Sequence, residues 1–361
     1  MSDNHRRYRA IRQALTQCYP GKLSGRMTQH VTILAAFISG IVGSKSSQLP
    51  SIATKIPDRA KPDSRVQRLA RWLRNDEIKE EIYFLPYAEM LLSQLALETL
   101  VLVMDGSCVG RGCCALMIHV IYKGRALPLA WRVRKGPKGH FPEAMHIELI
   151  KLIAELIPEG TEVVFLGDGE FDGIKLQGTI AKAGWSYVCR TSYDTTASSE
   201  GEPFRLDAMG AHLKVGHVVS LSEVLFTSKA YGPVMVICCW AKGNKEPLYL
   251  VSNMESAEEA CRYYEKRFRI ETFFSDQKSR GFNIQKSRLE DPQRLSRLLM
   301  ATCLAYIWTV YLGSLCEQEK WRFIIPRRKR RDFSLFQLGL KLLEHFLNEG
   351  LPIPVRFYVT I

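Results

Sequence analysis

Two β-prone apolar runs that each stop at an aspartate constrain this chain more than any other feature. TLVLVMD ends at Asp105 and TEVVFLGD ends at Asp168. Runs of this kind read as buried strands, and their surroundings supply the rest of a sheet. CCALMIHVIYKG and RALPLAWRVRKG follow the first run across short glycine-containing turns, so three strands lie in sequence. PEAMHIELIKLIAELIP then shows helical spacing at Met145, Leu149, Leu152, Ile153 and Leu156, bracketed by Pro142 and Pro158. After the second run come the helix DGIKLQGTIAKAG and the strand WSYVCRTS, an alternation that predicts a parallel βαβ extension. From 194 to about 245 the alternation breaks: DTTASSEGEP reads as a polar loop, and HVVSLSEVLF and GPVMVICCWA as strands of a β-rich insertion.

The first 90 residues read as helices. MTQHVTILAAFISGIVG carries a wide apolar stripe, and SQLPSIATKI is a short helix or turn. SRVQRLARWLRND reads as a helix capped by Ser64, with Val66, Leu69, Ala70 and Leu73 on one face and Arg65, Arg68, Arg71 and Arg74 beside them. Residues 1 to 75 hold 14 Lys and Arg against Asp3, Asp58 and Asp63, so most of the formal charge of +13 lies there. A block so basic suits a polyanion, and the arginine-bearing helix is the candidate for reading DNA. The turn at 56–63 is longer than a standard helix-turn-helix allows, so the expectation is only a helical DNA-binding domain.

Chemistry is concentrated in YEKRFRIETFFSDQK. At about 100° per residue, Tyr264, Arg267, Glu271 and Lys278 fall within roughly 60° of one another on a helix. Ile270, Phe273 and Tyr263 take the other side. The same pattern also describes a solvated charged face. Two strand-end aspartates and a helix glutamate make a plausible two-metal site, since hard cations such as Mg²⁺ prefer carboxylate oxygens and a pair about 4 Å apart supports phosphoryl transfer. For the second acid, Glu170 and Asp172 stand beside Asp168 in GDGEFDG; strand alternation does not choose among them, but Asp168 directly follows the apolar run and is favoured.

In these residues the chain resembles the DDE transposases of bacterial insertion sequences, specifically the insertion-sequence-four branch with its Y-R-E-K signature. Tyr264, Arg267, Glu271 and Lys278 match that signature in type and spacing, Asp105 and Asp168 precede them in the family's order, and the resemblance spans at least residues 99 to 315. It implies an α/β, RNase H-like catalytic core with a β-rich insertion, preceded by a helical DNA-binding domain. It implies that Asp105, Asp168 and Glu271 are catalytic and bind two Mg²⁺ ions, with Mn²⁺ able to substitute. Arg267 and Lys278 would contact the DNA backbone near the cleavage point, and Tyr264 a phosphate. The partners implied are transposon ends and target DNA, with a homodimer in the active complex.

The expected layout is a basic helical domain over 1–90, the catalytic core over 95–316, and a basic and helical C-terminal segment over 317–361, where Arg327 to Arg331 form a cluster that grips phosphates, is a nuclear-import-like basic run without that role, or serves as a charged linker. No signal peptide is expected from MSDNHRRYRAIRQ, and the longest apolar stretch, LLMATCLAYIWTVYLGSLC, is expected to be a core helix rather than a membrane span. Ten cysteines without CxxC spacing read as reduced core residues, and a cytoplasmic, nucleoid-associated protein is expected. His119, His140 and His146 read as structural. A glycosidase also uses paired carboxylates but does not call for the Tyr-Arg-Lys stripe. The stronger rival is a non-catalytic DNA-binding protein or repressor derived from a transposase, against which the presence of all three acids argues.

Overall fold

The computed structural model describes residues 1–19, 23–137, 139, 141–317, 321 and 333–359. Helices open the chain: α1 (Asp3–Gln17), α2 (Gly25–Ser44), α3 (Leu49–Thr54), α4 (Pro62–Arg74), α5 (Glu80–Tyr83) and α6 (Leu85–Leu95). The α/β part follows with β1 (Leu100–Gly110), β2 (Cys113–Tyr122), β3 (Arg125–Lys135), α7 (Glu143–Ala154), β4 (Val163–Gly167), α8 (Ile174–Lys182) and β5 (Ser186–Thr191). Next are β6 (Thr196–Ser199), β7 (Glu202–Arg205), α9 (Asp207–Gly210), β8 (Val218–Phe226), β9 (Tyr231–Cys239) and β10 (Leu248–Ser252). The chain closes with α10 (Ala257–Tyr264), α11 (Arg269–Gln277), α12 (Pro292–Leu315) and α13 (Leu335–Asn348).

The strands form one sheet in the order β3-β2-β1-β4-β5-β10-β9-β8-β6-β7. Its first five strands have the RNase H-like arrangement: β1, β2 and β3 are antiparallel, and β4 and β5 run parallel to β1. Helical crossovers connect the parallel strands, as the βαβ pattern requires. The same sheet continues through antiparallel β10, which follows the β-rich insertion, and then through the insertion's β9 and β8. DTTASSEGEP is not simply a loop, because Thr196–Ser199 pairs with Glu202–Arg205 in a hairpin at the sheet's far edge. The run ending at Asp105 does not stop there either: β1 continues to Gly110, held by pairs such as Asp105 with Met117 and Cys108 with Cys114.

The central packing element is α12. The Asp291 side chain accepts a hydrogen bond from the Arg294 amide at 2.9 Å, and Pro292 occupies the first turn, where its missing N–H costs nothing. From Leu298 to Gly313 every residue is buried, so this apolar stretch is a core helix packed against α13, β3, α2 and α4. Both α2 and α12 have the length and composition of a membrane span, and 89% of the α12 window is buried inside the protein. Backbones meet closely where α12 crosses α13. A methyl group on Gly339 would run into the Thr309 carbonyl, and one on Gly313 into the Leu335 carbonyl. Ser334 and Gln337 form a capping box that starts α13 at this crossing.

The amino-terminal helices share this core rather than forming a separate lobe. From α12, Arg297 donates to the carbonyls of Leu73 at 2.9 Å and Ile78 at 3.2 Å and pairs with Asp76 at 2.6 Å, closing the carboxyl end of α4. From α1, Arg6 donates to the carbonyls of Leu347, Phe346 and Leu351 at 2.8, 3.1 and 2.6 Å, satisfying the last turn of α13. Residues 335–348 are therefore part of the core and not a detached tail. The Arg327 to Arg331 cluster lies outside the described residues.

Gly339→Ala should destabilise the fold by about 1–3 kcal/mol, because neither backbone at the crossing can retreat without losing packing. Gly25→Ala, with open space around the added carbon, should stay within about 0.5 kcal/mol of wild type. Urea midpoints measure both, and equal midpoints for the two variants would contradict the crossing described above.

Candidate active site

Parallel pairing of β1 with β4 runs from Leu100 with Val163 to Val103 with Leu166. Continued for two residues, that register sets Asp105 level with Asp168, the residue that follows β4. Both acids are half-buried at the point where β4 ends and β1 goes on with β2 alone. Such a joint at the carboxyl end of parallel strands is where open α/β sheets leave a crevice. The Asp105 carboxylate accepts from the Gly106 amide at 2.6 Å, and Asp168 from the Glu170 amide at 2.9 Å, so each carboxylate has one oxygen fixed by the backbone of its own turn.

The structure separates the three acids of GDGEFDG. Glu170 accepts from the Phe141 amide at 2.5 Å and lies 3.4 Å from His146 Nε2, tying the turn to the segment before α7. Asp172 accepts from Thr191 Oγ at 2.7 Å, and burial raises its pKa, with Asp168 and Glu143 adding to the effect. Asp168 instead has one oxygen toward Arg267 Nη1, 3.9 Å away. It also borders an open cleft of about 710 Å³ whose walls include Arg190, Tyr193 and Tyr249.

The segment with the helical stripe is not one continuous α-helix. Tyr264 ends α10, Glu265–Phe268 is a turn of 3₁₀ helix, and α11 carries Glu271 and ends just before Lys278. The tightened turn departs from the 3.6-residue period on which a single stripe depends. Even so, the two cations reach the strands that bear the acids. Arg267 is buried, with its guanidinium 4.7 Å from the Phe268 ring and 5.8 Å from the Tyr264 ring, and its Nε has no hydrogen-bond partner. Lys278 donates to Ser107 Oγ on β1 at 2.6 Å, two residues beyond Asp105. Burial pushes the Tyr264 phenol up to about 12, opposed by Arg267 and Arg190 and reinforced by Asp168, so Tyr264 is a neutral donor beside the acid. Glu271 is exposed on α11, which packs against β1 and β3.

Asp105 and Asp168 offer the oxygen donors that a hard divalent cation prefers, and they sit at neighbouring levels of paired strands. Among the described residues no three His, Cys, Asp or Glu side chains converge closely enough to hold an ion, so Glu271 is not gathered with the two aspartates. Like charges on three carboxylates oppose such convergence unless a cation offsets them.

The expected DNA-reading helix is sorted by its contacts. It begins at Pro62, not at a Ser64 cap, because proline suits the first helical position and Lys61 precedes it as N-cap. Arg65 donates to the carbonyls of Ala60, Ala53 and Ile56 at 2.9, 3.1 and 3.3 Å, and Arg68 pairs with Asp58 at 2.5 Å. These two arginines hold the α3–α4 connection. Arg71 and Arg74 are exposed. His119 is fully buried against Phe273 and Phe274, and burial lowers its pKa to about 3, so it is a neutral core residue far from any ligand role. His146 packs on Phe171, and His140 lies outside the described residues.

Sequence reasoning did not pick out Ser107, Phe141 or Arg190. Phe141 lies so close over Gly106 that a methyl group there would sit 2.5 Å from its ring, which couples the Asp105 turn to the Asp168 turn through Glu170. The glycine after Asp105 was the available signal for that close approach.

An RNase H-like sheet with an acidic pair at the joint of its first and fourth strands defines the class of protein. Residues 99–308 match the model of the Transposase DDE domain family, and the chain belongs to that family. A search of the curated proteins returns no match. Among solved structures, the chain is similar to a piggyBac transposase synaptic complex with hairpin DNA, at 11% identity over 97% of this chain and 79% of that one, with a TM-score of 0.47. It is also similar to human ENDOV, at 11% identity over 69% and 100% of the two chains, and to an endonuclease V of Ciona intestinalis bound to inosine-containing DNA, at 10% over 63% and 99%. Both have a TM-score of 0.27. These three likenesses are too distant to bear on individual residues.

The seat of α11 on the sheet is itself titratable. Asp276 pairs with Arg125 of β3 at 3.0 Å, and burial raises its carboxyl to about 6 while Arg125 and Arg280 pull it down. A raised folded-state pKa means that the stabilising contribution is full below the ordinary carboxylate value of about 4 and is lost as pH rises through about 6. Asp276→Asn should flatten the slope of stability against pH between about 4 and 6, measured by urea denaturation across that range. An unchanged slope would remove Asp276 from this role.

Proposed function

We propose that this member of the Transposase DDE domain family is an insertion-sequence transposase of the insertion-sequence-four branch, which binds the ends of its element and catalyses DNA cleavage and strand transfer. The observation that carries the reading is the shared level of Asp105 and Asp168, flanked by Arg267 at 3.9 Å from Asp168 and by Lys278 on Ser107 of the Asp105 strand. Two acids with two cations brought to them from one segment suit a phosphodiester, whose charge needs donors on both sides of the reacting phosphorus.

Asp105, Asp168 and Glu271 would hold Mg²⁺, or Mn²⁺ in its place; two such ions, when bound, supply activation of the attacking oxygen and stabilisation of the leaving one. The chain's own side chains do the positioning. Arg267, buried with an unsatisfied Nε, offers a directed guanidinium to a backbone phosphate beside Asp168. Lys278, anchored on Ser107, sets a second positive charge beside Asp105. Tyr264 keeps its proton and lends a phenol donor at the buried edge. Attack by water yields a 3′-OH, which then attacks a second phosphodiester, so no covalent protein intermediate is required.

The amino-terminal helices contact DNA through side chains not committed internally, with Arg71 and Arg74 of α4 on the exposed face. Joining two ends calls for two copies of the chain in the active complex. Binding should weaken steeply with salt, since phosphate contacts release counterions. Arg71→Ala and Arg74→Ala should each lower end affinity without changing the urea midpoint, whereas Arg65→Ala should lower the midpoint. A shared loss of stability in all three would contradict this division.

Asp105→Ala, Asp168→Ala and Glu271→Ala should each reduce Mg²⁺-dependent nicking of an end-containing duplex to background while end binding persists. Asp172→Asn, which preserves the contact to Thr191, should still cleave. Retention of the duplex by wild type without any cleavage would instead identify a non-catalytic DNA-binding protein.

A further inference from the structure

The strand that carries Asp105 and Ser107 also carries one thiol of a cross-strand pair that the cleavage chemistry does not use. Cys108 on β1 is directly opposite Cys114 on β2, and their Sγ atoms are 3.1 Å apart. Directly opposed residues of antiparallel strands have Cα atoms about 4.5 or 5.5 Å apart, and both values lie within the range of about 4.4–6.8 Å that a disulfide spans. The ladder shifts register immediately beyond the pair, between Cys108 and Gly110, so β1 has slack at this point. Cys113 is adjacent in sequence but has a different role: successive strand residues face opposite ways, and its Sγ donates to the Glu290 carbonyl at 3.3 Å.

We infer that Cys108 and Cys114 form a reversible dithiol–disulfide site that adjusts β1 beside the acidic pair. Cys108 is half-buried and the more accessible of the two, while Cys114 is buried, its thiol pushed up to about 12 by burial and by Cys108. Cys108 is therefore the attacking thiol and Cys114 the resolving one. With a peroxide as oxidant, the Cys108 thiolate attacks one peroxide oxygen, giving a sulfenic acid and, after proton transfer, one water. The Cys114 sulfur then attacks the Cys108 sulfur, the S–O bond breaks, and a second water leaves with the Cys114 proton. Two thiols lose two electrons and two protons, and one peroxide is reduced to two waters. Bond formation brings the sulfurs from 3.1 Å to about 2.05 Å. That movement draws on the residue next to Ser107, which holds Lys278.

The thiol chemistry stands apart from the nuclease reading; only its effect on strand cleavage rests on that reading. The experiment treats the full chain with hydrogen peroxide, blocks the remaining thiols, digests with trypsin and maps disulfides by mass spectrometry before and after dithiothreitol. Trypsin cuts after Arg111, so Cys108 and Cys114 fall in different peptides unless they are bonded. Wild type and Cys113→Ser should give the linked peptide, dithiothreitol should release it, and Cys108→Ser, Cys108→Ala and Cys114→Ser should lack it. No linked peptide in wild type, or an undiminished one in Cys114→Ser, overturns the site. Oxidised wild type should nick on the order of tenfold to a hundredfold more slowly than reduced protein, as a displacement of about 1 Å in a reacting site allows, and the Cys108 and Cys114 variants should not respond to peroxide. A linked peptide with unchanged nicking overturns the coupling to β1. Absence of nicking by reduced wild type counts against the nuclease reading, and the peptide map still decides the thiol site.

Discussion

Parallel pairing of β1 with β4 lasts for only a few residues, and the site depends on where it ends. While the two strands are paired, their side chains belong to the core; Leu102, Val103, Phe165 and Leu166 are all fully buried. Two residues further β4 has ended at Gly167, β1 is held only by β2, and the positions level with each other are Asp105 and Asp168. A register slip of one residue would turn one aspartate toward the opposite face. The parallel ladder from Leu100 with Val163 to Val103 with Leu166 and the crossover through α7 hold that register, so the same contacts that stabilise the sheet also align the carboxylates.

The second constraint is the seat of α11. Phe273 packs on His119 and Tyr306, and Asp276 pairs with Arg125, so this helix is fixed to the sheet on its buried side. From that seat its flanks reach outward: Arg267 from the preceding 3₁₀ turn to Asp168, and Lys278 from its carboxyl end to Ser107. An arginine with little exposure that faces a carboxylate is favourable only if its remaining donors find partners. The unpartnered Nε of Arg267 is consistent with a site built to receive an anion.

Much of this was legible before the structure. Apolar runs, glycine turns and bracketing prolines marked the RNase H-like strands and helices, because burial and turn chemistry are local properties. Asp168 was already favoured because it directly follows the apolar run; what the sequence did not show is that Glu170 and Asp172 are held by the Phe141 amide and the Thr191 hydroxyl, which come from elsewhere in the chain. Positive charge is equally silent about its partners. Composition records the charge of Arg65 and Arg68 and not the carbonyls of Ala53, Ile56 and Ala60 or the carboxylate of Asp58 that they meet. The extension of β1 past Asp105 was hidden because Gly106 and Gly110 resemble a turn, although here glycine admits the close approach of Phe141. The unity of the amino-terminal helices with the core rests on Arg6 and Arg297, whose partners lie more than 200 positions away in the chain.

The central proposal is that Asp105 and Asp168 are two walls of one cation site. Mn²⁺ binding, followed by electron paramagnetic resonance with a duplex present, tests it without requiring turnover. Wild type should bind the ion, Asp105→Asn and Asp168→Asn should each weaken binding strongly, and the double variant should be little worse than either alone because the two acids serve the same site. Losses that simply add, or binding that survives in the double variant, would contradict it.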